Sequence, residues 1–279
     1  MTAETEISSG DRFRFGANWT RFLALVDETR ISDAVASLRD MLGVDDLQGR
    51  RFLDIGSGSG LFSLAARRLG AAVHSFDFDP RSVACAQELK RRYFPDDDGW
   101  RIEEGSVLDR QYMDTLDRFD VVYSWGVLHH TGSMWLAIEN AISRVADSGG
   151  TLFIAIYNDQ GWKSHGWWFV KFFYNRAPRF LRGPFAFTVT AVTHVLVTLK
   201  QLIRRQPLTV ISSLFRAPPR GMSAKYDMVD WIGGFPFEFA TFDTLVSYFA
   251  GRGFTVRNSR RCSSLGCHEL VFQRISCAD

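Results

Sequence analysis

Arg51-Phe52-Leu53-Asp54-Ile55-Gly56-Ser57-Gly58-Ser59-Gly60-Leu61 is the stretch whose reading decides the fold. Arg51 to Ile55 is a short apolar strand, three glycines at alternate positions make a turn, and Leu61 to Leu69, closed by Gly70, is a helix. A glycine loop between strand and helix lets backbone N–H groups and the helix N-terminus approach a polar ligand closely. The dinucleotide fingerprint needs a glycine three positions after its second one, and here that position is Leu61. The spacing is instead Gly56-x-Gly58-x-Gly60, with Asp54 two residues ahead, where a dinucleotide site is normally apolar. A carboxylate there suits a ligand bearing an ammonium and a sulfonium, because opposite charges offset one another in a partly buried site. The second reading of Asp54 is a helix-side hydrogen-bond acceptor.

Outward from this stretch, strands and helices alternate. Ala72 to Phe76 is a second strand ending at Asp77, Pro80 to Tyr93 a helix with Asp79 as its N-cap, and Trp100 to Glu103 a third strand leading into Gly105-Ser106-Val107-Leu108-Asp109. Phe119 to Ser124 is the fourth strand, Met134 to Val145 a helix and Gly150 to Tyr157 the fifth strand. The alternation predicts a parallel sheet covered on both faces. Upstream, Asn18 to Leu42 reads as one amphipathic helix ended by Gly43. The rhythm breaks after Tyr157 and resumes with a helix over Thr241 to Ala250 and strands over Phe254 to Arg261 and His268 to Arg274. The short turn between these last strands makes them antiparallel. The expected architecture is α/β: a Rossmann-like, seven-stranded, mostly parallel sheet with an antiparallel last strand and a helical insertion. Residues 1–49 form an N-terminal tail and lid helix, 50–157 the ligand-binding core, 158–240 the insertion, and 241–279 the last helix and hairpin strands.

Candidate ligand contacts gather at the C-terminal ends of successive strands. Asp77 lies seventeen residues after Gly60, where a carboxylate accepts both hydroxyls of a ribose. Phe78 offers an apolar face beside an adenine, Asp109 an acceptor for its amino group, and the Val107 and Leu108 backbone lines its edge.

With these residues in place, the run from Arg50 to Tyr157 resembles the class I S-adenosylmethionine-dependent methyltransferase family, particularly its small-molecule members of the ubiquinone-biosynthesis type. The resemblance implies S-adenosyl-L-methionine as cofactor. Asp54, Gly56, Gly58 and Gly60, with Ser57 in the same loop, would hold its methionine part, Asp77 its ribose and Asp109 its adenine. Phe119-Asp120-Val121-Val122-Tyr123-Ser124-Trp125 with Gly126-Val127-Leu128-His129-His130 matches the family's fourth motif. There Ser124 and Trp125 would border the methionine end and the methyl group.

Methyl transfer is an in-line attack on a sulfonium carbon, so the protein must align the reactants, exclude water and, for a hydroxyl or amine, remove a proton. His129 and His130, just past the fourth strand, are the candidate bases, since imidazole titrates near neutral pH. The competing reading is that they hydrogen-bond a neighbouring loop and fix its shape. The strand end Ser124-Trp125-Gly126-Val127 is not the Asn/Asp-Pro-Pro-aromatic sequence of amino-methylating nucleic-acid enzymes, and no cysteine sits in a loop suited to attack on a pyrimidine. Nucleic acid is therefore not the expected acceptor. No His-Glu-x-x-His or similar cluster suggests a metal.

Charge is unevenly distributed. From Gln160 to Tyr226 there are eleven Lys and Arg residues and no Asp or Glu, which leaves 22 basic against 31 acidic residues elsewhere. Trp162, Trp167, Trp168, Phe169, Phe172, Phe173 and Tyr174 crowd the same segment, and Phe185 to Leu202 is mostly apolar, although its Thr residues, His194 and Lys200 argue against a membrane crossing. Three readings fit this insertion: a helical lid, a lipophilic acceptor pocket whose basic, aromatic rim rests on an anionic membrane surface, and an RNA face. The lid holds in every case, and the lipophilic role is preferred to RNA because the stretch is so apolar. Trp19, Tyr157, Asp227, Asp230 and Glu238 are further acceptor-side candidates, the last three in a loop expected over Tyr226 to Glu238.

The polar, acidic start from Met1 to Gly10 lacks a signal-peptide pattern, and four scattered cysteines make no disulfide framework. A cytoplasmic location, peripheral on the inner membrane face, is the expectation. The acceptor is expected to be a small lipophilic or quinone-like molecule methylated on oxygen. A sugar or polysaccharide intermediate is the alternative, and a cofactor-binding regulatory protein without activity is the alternative of another class, disfavoured by the intact Asp54, Asp77 and Asp109 set.

Overall fold

The computed structural model describes residues 5–6, 9–13, 15–203 and 231–275, so Asp227 and Asp230 lie outside the described residues. Seven strands form one sheet: β1 (Arg51–Ile55), β2 (Ala72–Asp77), β3 (Trp100–Glu104), β4 (Val121–Trp125), β5 (Thr151–Tyr157), β6 (Phe254–Arg260) and β7 (Cys267–Arg274), in the order β3-β2-β1-β4-β5-β7-β6. β1 pairs in parallel with β2 and β4, which pair in the same sense with β3 and β5. β7 runs antiparallel to both β5 and β6, between which it is inserted. The expected reversed strand is present.

The helices are α1 (Gly16–Leu23), α2 (Glu28–Leu42), α3 (Leu61–Arg68), α4 (Pro80–Tyr93), α5 (Arg110–Thr115), α6 (Met134–Ser143), α7 (Trp162–Arg176), α8 (Arg179–Ile203) and α9 (Phe242–Ala250). The single helix expected over Asn18 to Leu42 is two. Asp27 divides them: its backbone is extended (φ −131°, ψ 173°) and its side chain accepts from the Arg30 N–H at 2.9 Å, capping α2. Val26 keeps the apolar spacing across the break, which is why periodicity alone bridges it. α2 stops at Gly43, in the left-handed region at φ 66°.

From Phe52 to Ile55, β1 is wholly buried, as a parallel strand between two layers must be. Phe52, Val73, Tyr123 and Phe153 pack on one face with Ile31, Leu38, Leu64 and Leu89. Leu53, Ile55, Val122 and Ile154 pack on the other with Ile138, Leu245 and Phe249. Alternation along β1 puts Asp54 on the Phe52 face, toward α3. The ends of β1, β2 and β4 and the segment after β3 gather at one edge of the sheet, where open α/β sheets bind their ligands.

The chain forms two units. Arg14–His165 with Pro236–Asp279 carries the whole sheet, and Met1–Phe13 with Gly166–Phe235 is the other. Within the latter, the Lys171 ammonium is fully buried, donates to the Trp231 carbonyl and lies 4.5 Å from the Trp231 ring centroid. Asn175 donates to the Gly233 carbonyl at 2.7 Å. Trp231 to Gly233 is helical, in place of the loop expected there, and Gly234 to Phe239 is irregular. Within α8, Phe180–Ile203 is long and apolar enough to cross a membrane by length and composition.

Candidate functional site

The glycine turn after β1 is pinned by backbone bonds: Gly56 and Ser57 N–H donate to the Phe76 carbonyl at 2.9 and 3.1 Å, and Gly60 N–H to Ser57 at 2.8 Å. Gly60 has φ 81°, and a Cβ there would meet the Ala86 Cα at 2.8 Å, so both conformation and space require glycine. At Gly58 a Cβ would come within 2.9 Å of the Trp19 indole, which therefore lies over the loop. Trp19, one of the acceptor-side candidates, is thus placed beside the glycine turn.

Two carboxylates frame the turn. Asp54 is buried and accepts from the Ser63 hydroxyl at 2.5 Å. Burial pushes its carboxyl up to about 7; Ser63 pulls it down, and the neighbouring Asp77 charge pushes it up further. Asp77 accepts from Gly58 N–H and from Asp79 N–H, each at 2.9 Å, and burial raises it to about 6 against those bonds. Asp79 caps α4 through the Arg81 N–H at 2.9 Å and also accepts from Gly16 N–H at 3.1 Å, which ties α1 to this edge. Ser63 and Gly16 escaped the sequence reading, since neither belongs to a recognisable spacing.

Past β3, the Asp109 side chain is exposed and caps α5 through the Tyr112 N–H at 3.1 Å. One oxygen thus has a structural partner, and a carboxylate offers a second. The Val107 carbonyl accepts from Asn140 at 2.7 Å, and Leu108 N–H donates to the Ser106 hydroxyl at 3.2 Å, which fixes this segment's backbone. Phe78 is half-buried between Asp77 and Asp79.

At the end of β4, the Ser124 hydroxyl donates to the Ile55 carbonyl at 3.1 Å and the Trp125 indole to Glu269 on β7 at 3.0 Å. Glu269 is a further residue that no spacing or motif marks in the sequence. Val127 packs where a Gly56 Cβ would sit, so the two loops touch. A 3-10 turn over Leu128–His130 follows. The His129 ring lies 4.1 Å from that of Tyr157 and 4.5 Å from that of His130, which in turn lies 5.0 Å from Phe15, while Phe237 lies 5.0 Å from Tyr157. His130 Nδ1–H donates to the Pro236 carbonyl at 2.6 Å, and the His129 carbonyl accepts from Glu238 N–H at 2.9 Å. Both histidines therefore anchor the 236–238 segment. The Glu238 carboxylate turns away to the N-terminus of α6, both oxygens accepting from Met134 N–H at 3.1 and 3.0 Å, and burial raises its pKa.

These residues fit a cationic, nucleoside-bearing cofactor. Among the described residues the Ser57 hydroxyl is buried with no hydrogen-bond partner. Asp54 is an acid whose charged form lacks a cation, and Gly58 gives a ligand access to the backbone. A bound ammonium or sulfonium would relieve the first two costs together.

A sheet of this order with a reversed β7, and a glycine turn framed by carboxylates at the ends of β1 and β2, are the fold and turn of the class I S-adenosylmethionine-dependent methyltransferases. The chain belongs to the Methyltransferase domain family, whose sequence profile matches residues 26–205. It is 31% identical over 110 residues to the Ubiquinone biosynthesis O-methyltransferase of Azorhizobium caulinodans, covering 39% of this chain and 42% of that one. It is 32% identical over 120 residues to the protein of the same name from Cereibacter sphaeroides, covering 43% and 46%. The chain spans less than half the length of these curated relatives. The fold is shared with magnesium protoporphyrin IX methyltransferase from Synechocystis PCC 6803 solved with bound SAH, at a TM-score of 0.54 and 16% identity over 93% of this chain and 94% of that one.

Proposed function

We propose that the protein transfers the methyl group of S-adenosylmethionine to an oxygen of a small, lipophilic, quinone-like acceptor. One observation carries the reading: His129, His130, Tyr157, Phe15 and Phe237 form an aromatic cluster at the ends of β4 and β5, joined to the glycine turn by the contact of Val127 with Gly56. A flat, apolar ring is the acceptor such a cluster favours. The naming of the relatives as O-methyltransferases supports oxygen as the nucleophile.

Asp54, Gly56, Ser57, Gly58 and Gly60 would hold the methionine part, with Asp54 facing the positive charge. Asp77 would accept the ribose hydroxyls, and Phe78, Val107, Leu108 and Asp109 would border the adenine. Ser124 and Trp125 would flank the methionine end, and Trp19 would exclude water. The bound cofactor supplies an electrophilic methyl group on a sulfonium, so the chain's own chemical task is to take the proton of the acceptor hydroxyl. We assign this to His130. Its Nδ1–H is engaged by Pro236, which in the neutral ring puts the lone pair on Nε2. His129, wholly buried, would hold together the ring cluster against which the acceptor rests.

The test is transfer of radiolabelled methyl from S-adenosylmethionine into cell extract separated into lipid, glycan, RNA and protein pools. Label is expected in the lipid pool as an alkali-stable ether. Label confined to glycan would replace the reading by methylation of a sugar or polysaccharide intermediate. Cofactor binding without transfer into any pool would replace it by a regulatory cofactor-binding role.

A further inference from the structure

We propose that α8 is embedded along one leaflet of an anionic lipid bilayer and holds the protein on the membrane without crossing it. The proposal does not depend on the identity of the methyl acceptor. Phe180–Ile203 has the length and composition of a membrane span, yet only 6% of its most apolar window is buried. A helix of that composition in a protein core is covered by its neighbours, whereas α8 is covered only around Phe185, Ala186 and Val189. Phe180, Phe187, Val195, Leu196 and Ile203 are 77, 74, 57, 61 and 82% exposed. So continuous an apolar surface marks a docking face.

The polar residues within the stretch do not oppose embedding. Thr188, Thr190 and Thr193 donate their hydroxyls to the carbonyls of Pro184, Ala186 and Val189, four residues back, at 3.0, 2.8 and 2.7 Å. His194 Nδ1–H does the same to Thr190 at 2.8 Å. These groups are satisfied inside the helix and enter hydrocarbon with those bonds intact. No charged residue falls between Arg182 and Lys200, whereas Gln160 to Tyr226 carries eleven cations and no acid. Cations flanking an apolar stretch, with aromatic residues in the preceding helix, match anionic headgroups above hydrocarbon.

Connectivity selects embedding over crossing. The insertion leaves the sheet beside the point where it returns: Asn158 and Ala240 form a parallel bridge, with Ala240 N–H donating to Tyr157 at 3.0 Å and Asp159 N–H to Ala240 at 3.1 Å. Both ends are thus on the same side of any membrane. A crossing by α8 would need a return span, and residues 204–230, with Arg204, Arg205, Arg216, Arg220 and Lys225, contain no apolar run of that length.

The full-length protein is tested by flotation with phosphatidylcholine vesicles and with vesicles containing phosphatidylglycerol. It is expected to float with the anionic vesicles and to stay bound in high salt, which strips proteins held by charge alone. The double variant Phe187→Glu/Val195→Glu is expected to lose about tenfold or more in vesicle partitioning, with cofactor affinity by calorimetry unchanged. Undiminished flotation of the variant overturns the proposal. So does a cofactor-binding wild-type protein that ignores both vesicles, and dimerisation in light scattering would then assign the apolar face to a second copy of the chain. Should the double variant not fold, a fluorophore on Val195→Cys is read against lipids brominated in their acyl chains. Quenching is expected, and its absence overturns the embedding.

Discussion

The hydroxyl of Ser63 donates a 2.5 Å hydrogen bond to the carboxylate of Asp54, and both residues are buried. This bond lowers the pKa of Asp54, but burial outweighs it and holds the carboxyl at about 7. The first acid of the glycine turn is therefore near half-protonation at neutral pH. A cationic ligand beside it favours the charged form. Cofactor affinity is expected to rise as pH rises through about 7 and to level off above, with proton release on binding near and below it. Calorimetry in two buffers of different ionisation enthalpy measures the release. Asp54→Asn should reduce it and weaken binding about tenfold or more; pH-independent binding without proton release would remove Asp54 from the cationic end.

Stability without cofactor should run the opposite way. Asp54 and Asp77 are held at about 7 and about 6, above their ordinary 3.8. Between the ordinary and raised values the folded chain keeps protons that the unfolded chain has lost. Their contribution therefore falls as pH rises through that window, by at most about 1.4 kcal/mol per pH unit for each group. Denaturant titrations across it should show a steeper fall for wild type than for Asp54→Asn. Parallel curves would show that Asp54 titrates at its ordinary value.

Gly60→Ala should be costly although it adds a single methyl group. The residue has φ 81°, and the new Cβ would meet the backbone of Ala86 at 2.8 Å, where no side chain can move aside. A loss of about 1–3 kcal/mol in stability is expected from the strained backbone alone, with cofactor affinity reduced as the turn shifts. Thermal unfolding with and without cofactor measures both, and a wild-type melting temperature would show that the turn relaxes freely.

His130→Gln should separate chemistry from architecture. Gln can still donate a hydrogen bond toward the Pro236 carbonyl that His130 Nδ1 engages at 2.6 Å, but it cannot take a proton. A loss of about 100-fold or more in kcat is expected, together with disappearance of the acid limb from the pH–rate profile and unchanged cofactor affinity. An unaltered profile would leave His130 only its anchoring role.

Much of this site was legible in the sequence because it is local. Asp54, the alternating glycines and Asp77 sit at strand ends that apolar periodicity marks by itself, and the excluded dinucleotide spacing at Leu61 needs no structure. The same local reasoning fused α1 and α2, since Val26 carries the apolar pattern across Asp27, whose capping bond to Arg30 ends one pattern and starts the next. It also took Glu238 as an acceptor contact, whereas both its oxygens serve the N-terminus of α6. In α8 the threonines and His194 argue against a membrane crossing, but only the tertiary structure shows that bonds to carbonyls four residues back occupy their hydroxyls and Nδ1–H.

The sequence by itself determined the order of strands and helices, the glycine turn and the acids at strand ends, because backbone preference and hydrophobic period act over a few residues. Only the tertiary structure decided that Ser63 meets Asp54, that Trp19 covers Gly58 and that His130 is held by Pro236, 106 positions away. The protonation of a carboxyl and the tautomer of an imidazole follow from what surrounds them, and those surroundings are assembled from segments far apart in the chain.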